Sequence, residues 1–116
     1  MTERPKTAYK VLTADQMAAL EARTFSGAPA DVADGYIHLS TAAQLTETVD
    51  KHFAGQSDLH LAAVDLDAVG DELKWEVSRG GEEFPHLYGT LTIDVVVAYG
   101  PLDRLEDGSV KLPNTG

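Results

Sequence analysis

Gly35-Tyr36-Ile37-His38-Leu39-Ser40-Thr41 runs from a turn through a strand into a helix, and the rest of the chain is read outward from it. Asp34-Gly35 is predicted to be a turn, because glycine accepts positive φ without steric cost. Tyr36 to Ser40 then has the aromatic and β-branched character of a short strand. Side chains alternate along a strand, so Ile37 and Leu39 face the core while Tyr36, His38 and Ser40 point together the other way. Thr41-Ala42-Ala43-Gln44 follows with the form of a helix capping box. A polar strand face therefore leads into a helix N-terminus, whose N–H groups and dipole attract anions. This makes the stretch a candidate ligand site. A half-buried, satisfied histidine and an ordinary cap would produce the same pattern.

The helix opened by Thr41 has Leu45, Val49 and Phe53 at four-residue spacing, a single apolar stripe expected to be buried, and Gly55 as its C′ residue. A second capping box, Thr13-Ala14-Asp15-Gln16, opens a helix to about Arg23 with Met17 and Leu20 inward. Residues 26–31 have loop composition, and Val32 to Gly35 lead into the central strand. Strands are predicted at Ala8–Leu12, Leu59–Leu66, Leu73–Val77 and Thr90–Tyr99, the last with its three consecutive valines buried on both faces. Ser78 to Glu82 reads as a turn, and Pro85 confines Phe84–Gly89 to a sheet edge or an irregular segment. Six short strands with the two main helices early in the chain indicate one α+β domain over residues 1–116 with mostly antiparallel pairing.

The totals narrow the function. The chain has 116 residues and a formal net charge of −10, which argues against nucleic acid or an anionic membrane as partner. It has no cysteine, which excludes disulfides and thiolate chemistry. The polar N-terminus lacks a signal-peptide pattern, and no run approaches the roughly 18 apolar residues of a membrane span. A cytoplasmic monomer acting on a small molecule is the expectation. His38, His60 and His86 would be the ligands of a metal hydrolase, but their scattered spacing does not suit a metal site, and none is expected.

Three segments concentrate polar groups among apolar ones: Gly35–Thr41, Leu73-Lys74-Trp75-Glu76 and Phe84-Pro85-His86-Leu87-Tyr88-Gly89. Together, in this order, they resemble the small bacterial proteins of domain-of-unknown-function family 952, over about Tyr9 to Pro113. That family has no established activity, and its fold is similar to that of ADP-ribosyltransferases and NAD-dependent RNA phosphotransferases, in which split sheets grip NAD. The resemblance implies NAD as cofactor, or an ADP-ribose-type nucleotide as ligand, with glycosidic-bond chemistry on it. It implies that His38 holds a ribose and that Tyr36, Trp75 or Tyr88 stacks on a flat ring, with Ser40, Thr41 and Gly89 completing the binding site. Glu76 and His86 would be the catalytic pair. The glutamate is where the match is weakest, because the late strand supplies only Asp94. A non-catalytic nucleotide-sensing module on the same pocket is the alternative. His38 would also donate to a phosphate, with binding that strengthens as pH falls through the imidazole range at about 6.5.

Overall fold

Among the described residues, two three-stranded antiparallel sheets meet where Ser40, just beyond the second, pairs with Tyr9 of the first. In the computed structural model, which describes residues 5–77 and 81–113, the chain runs β1 (Thr7–Thr13), α1 (Ala14–Glu21), α2 (Pro29–Asp34), β2 (Ile37–His38) and α3 (Ala42–His52). It continues through β3 (Leu59–Asp65), α4 (Leu66–Val69), β4 (Leu73–Val77), β5 (Glu83–Leu87) and β6 (Val96–Pro101). The first sheet has the order β1-β3-β6 and the second β2-β5-β4. All the paired strands are antiparallel, so the α+β class follows.

The central strand β3 is buried on both faces. Ala62 and Val64 point into one core with Leu12, Leu20, Phe25, Ile37, Leu39 and Leu87. Leu59, Leu61 and Ala63 point into a second core under α3, with Leu45 and Val49. The apolar stripe of α3 is thus buried at Leu45 and Val49. Phe53 is only partly buried, because the helix ends at His52 and Phe53 is its cap. Gly55, at φ +78°, lies one residue beyond the expected C′ position. Both predicted capping boxes close, at Thr13/Gln16 and Thr41/Gln44.

Four expectations are corrected. Pro29 occupies the first turn of a short helix, with Asp31 three residues from the cap, so residues 29–34 are α2 and not loop or strand lead-in. Gly35, at φ +86°, ends that helix in the left-handed conformation. With α4 also helical, four α-helices are present among the described residues where two main ones were expected. The valine run is not doubly buried: Ile93–Val95 form a 3-10 turn, and β6 is an edge strand that leaves Val97 52% exposed.

Pro85 sits in the central strand of its sheet. Its carbonyl accepts from the Leu39 N–H at 3.1 Å, so its missing N–H lies on the β2 side. On the β4 side Pro85 faces Trp75 in a pair that exchanges no ladder bonds, and a proline is tolerated there. The same proline stops β2 after two paired residues, which frees the chain to cross to the other sheet. Ser40 makes that crossing: Tyr9 N–H donates to its carbonyl at 2.7 Å, and Ser40 N–H returns to Tyr9 at 2.9 Å. The turn expected at Ser78–Glu82 lies largely outside the described residues.

Candidate functional site

Beyond the Tyr9–Ser40 bridge, β1 runs on with no strand on its outer edge among the described residues. Tyr9 turns its N–H and C=O toward Ser40 and away from β3, and strand periodicity places those of Val11 on the same side. Among the described residues nothing bonds to them, although Val11 is buried. They open into a cleft of about 810 Å³, within the ~300–1,000 Å³ usual for ligand sites. Its walls are β1, the starts of α1 and α2, the end of α3, and His38, Ser40, Phe84 and His86 from the other sheet. The Tyr9 hydroxyl also lacks a partner among the described residues, and burial pushes its pKa up. A buried donor–acceptor pair and a buried phenol are thus left for a ligand or water to satisfy.

One side of the cleft is an ion network centred on Asp31, which is 3% exposed. Its carboxylate accepts from Lys10 Nζ at 2.9–3.0 Å, from His38 N–H at 2.9 Å, from His38 Nδ1 at 2.7 Å and from Ala28 N–H at 2.8 Å. Burial alone would raise the Asp31 pKa, but the His38 hydrogen bonds and the Lys10 charge together hold it well below the carboxylate range. Burial lowers the Lys10 pKa, and Asp31 pulls it part of the way back. His38 Nε2 lies 2.9 Å from Asp34 Oδ2, so both ring nitrogens of His38 face carboxylates. Only the imidazolium donates from both.

Behind this wall the register aligns His38, His86 and Lys74 in one cross-strand row. The His38 and His86 ring centroids are 5.6 Å apart, and both rings line the cleft. Tyr36 stacks on His86 at 4.1 Å and backs His38 at 4.7 Å. His86 Nδ1 and the Tyr88 hydroxyl both donate to Glu76 Oε1, at 2.8 and 2.7 Å. Tyr88 and then His86 lower the Glu76 pKa, and Glu76 pushes the Tyr88 phenol up to about 12. His86 is 3% exposed, and with Nδ1 donating to Glu76 its Nε2 accepts in the neutral ring and donates in the imidazolium.

The residues singled out from sequence fall into three groups. His38, Ser40 and His86 line the cleft, with Ser40 Oγ 3.0 Å from Thr48 Oγ1. Tyr36, Glu76 and Tyr88 form the layer that holds the two histidines. Thr41, Trp75 and Gly89 do not line the cleft. Thr41 is buried and its hydroxyl accepts from Gln44 N–H, so the α3 N-terminus offers no anion cradle to it. Trp75 lies on the other strand face, against the first core, because it alternates with Lys74 and Glu76. A Cβ at Gly89 would collide with the Glu72 carboxylate, so the close approach there is made by the chain itself. Both His38 nitrogens already face carboxylates, an arrangement that does not favour the expected anion role. Asp94 is on the surface, paired with Arg23. His60 does not join the other two histidines at the cleft, and among the described residues no cluster of three potential metal ligands occurs. None of the described helices is long and apolar enough to cross a membrane.

Sequence reading missed Lys10, Asp31, Asp34, Tyr9 and Val11. Two of them carried a signal. A lone lysine in an apolar strand needs a buried partner, and an aspartate two residues after a proline is a helix-start pattern.

The sequence model of DUF952, a protein of unknown function, matches residues 11–99. The crystal structure of protein CC0527 from Caulobacter crescentus is 43% identical, with a TM-score of 0.81 over 90% of this chain and 93% of that one. The solution structure of CC0527 gives a TM-score of 0.76 over 90% and 91%. No curated protein matches.

Proposed function

The chain belongs to the DUF952 family of proteins of unknown function, and from that premise we propose that its cleft binds the nicotinamide-riboside end of an NAD-type ligand. The observation that carries this reading is the outward-facing N–H and C=O of Val11. One residue offering a donor and an acceptor side by side complements a carboxamide, which offers the reverse pair in one plane. The carboxamide oxygen accepts from Val11 N–H while its amine donates to Val11 C=O. The Tyr9 hydroxyl and the second ring nitrogen of His86 stand within the same cleft for ribose hydroxyls. Two antiparallel sheets with the cleft at their junction also fit the likeness to ADP-ribosyltransferases.

Glu76 acts here through His86, whose tautomer and orientation it sets. It does not line the cleft, which favours binding without turnover over glycosidic-bond cleavage. Amide-resolved NMR titration tests the reading with NAD, its nicotinic-acid analogue and ADP-ribose. NAD should shift the Val11 amide. The acid analogue should bind more weakly, because a carboxylate has no donor for the Val11 carbonyl. If no ligand binds at millimolar concentration, or the acid analogue binds equally well, the reading fails. Free nicotinamide released on prolonged incubation with NAD would establish turnover.

A further inference from the structure

We infer that the cleft selects the phosphate-free riboside of a pyridinium carboxamide, a cation, over its phosphorylated forms. This rests on the carboxamide reading above and adds the charge of the ligand to it. Among the described residues the lining carries the anionic Asp31 and Asp34, the permanent cation Lys10, and the histidines His38, His52 and His86. Lys10 is 6% exposed and its ammonium is held by both oxygens of Asp31. Both nitrogens of His38 face carboxylates, and His86 turns its donor to Glu76.

Part of the donor set at the two helix starts that face the cleft is already used within the chain. At α1, Thr13 N–H donates to Gln16 Oε1 and Gln16 N–H to Thr13 Oγ1. At α2, Ala28 N–H donates to Asp31, and Pro29 has no N–H. Val11 N–H and the Tyr9 hydroxyl, both without a partner among the described residues, are neutral and suit an amide and a sugar. A phosphate drawn into this cleft would lose water, find the Lys10 ammonium already held by Asp31 and meet the Asp34 carboxylate. A pyridinium ribose gains the same carboxylate as a partner, and the net charge of −10 adds long-range attraction.

Calorimetric titration of nicotinamide riboside, nicotinamide mononucleotide and NAD into the full chain tests this, at about pH 8, above the usual imidazole range. The riboside should bind roughly tenfold or more tightly than the mononucleotide, a difference of about 1.4 kcal/mol or more. Its affinity should fall with added salt, as expected for attraction between opposite charges. Asp34→Asn should weaken the riboside several-fold and narrow the gap between the two ligands. Asp34 is exposed, so this variant is expected to fold, and its melting temperature checks that. If the mononucleotide or NAD binds as tightly as the riboside, or if Asp34→Asn leaves the gap unchanged, the charge selection is wrong while the carboxamide reading stands. If none of the three binds, both fall.

Discussion

Removing the Asp31 charge should be the most damaging single change near the cleft, and its pH dependence should identify the cause. In Asp31→Asn the shape is kept, but Lys10 is left with its charge at 6% exposure and no counter-ion. The lost attraction across 2.9 Å is about 6 kcal/mol at an effective dielectric of 20. Part of it returns because the asparagine oxygen still accepts one or two of the bonds and because Lys10 can lose its proton. Breaking one partner of a buried pair costs about 3–5 kcal/mol on this account, a large share of a typical stability of roughly 5–15 kcal/mol.

The sign of the pH effect follows from the two groups. The Asp31 pKa is lowered on folding, so its contribution is present above about pH 4 and is lost as pH falls toward its folded value. The Lys10 pKa is also lowered, so the folded state gains as pH rises toward the unfolded lysine value near 10.4. Without Asp31 that lowering deepens, and the deficit of the variant should shrink as pH rises toward the unfolded lysine value. Urea unfolding followed by Trp75 fluorescence measures it. Lys10→Met/Asp31→Asn, which removes the stranded charge, should recover part of the loss and lose the alkaline trend. A deficit under about 1 kcal/mol at neutral pH would refute a buried ion pair, as would one that does not change with pH.

Glu76→Gln should bring the Tyr88 phenol down from about 12 toward the ordinary value of about 10, read as a lower midpoint in an ultraviolet titration. An unmoved midpoint would mean that Glu76 does not accept from Tyr88. Leu45→Ala, at a fully buried site, should cost about 2–5 kcal/mol. Phe53→Ala should fall below the roughly 3–5 kcal/mol of a fully buried phenylalanine, because Phe53 is a partly buried cap residue. Thr41→Ala should cost about 1 kcal/mol by opening the capping box. Denaturant midpoints check all three, and equal losses at Leu45 and Phe53 would contradict the burial difference.

Local rules read well in this chain where the residue's neighbours in sequence are also its neighbours in space. Thr13/Gln16 and Thr41/Gln44 close as boxes because each box is complete within four residues. Ile37 and Leu39 face inward because strand periodicity is enough to say so. The rules failed where a distant partner decides. Pro85 looks like an edge residue until the register shows which side its missing N–H faces. Three consecutive valines look doubly buried until the strand order puts β6 at an edge. Trp75 could have lined the site by composition, but alternation against Glu76 and Lys74 gives it to the core.

The site itself was legible as a histidine motif and illegible as a cleft. Its opening depends on where pairing stops, and that is set by two separate facts. Pro85 ends the β2–β5 ladder, which sends the chain through Leu39 to Ser40. Ser40 then pairs with Tyr9 alone, so β1 leaves the Val11 amide pair open one step further along. β1 contains no sequence signal for an unpaired edge, because it carries the apolar residues of an ordinary inner strand. Lys10 is the exception within that run. A buried ammonium requires a carboxylate, and α2 supplies Asp31 from a segment whose Pro and Ala residues read as loop. The ion pair thus fixes α2 against β1, and α2 in turn carries Asp34 to His38. The charge of the cleft is therefore set by the same contact that holds one of its walls in place.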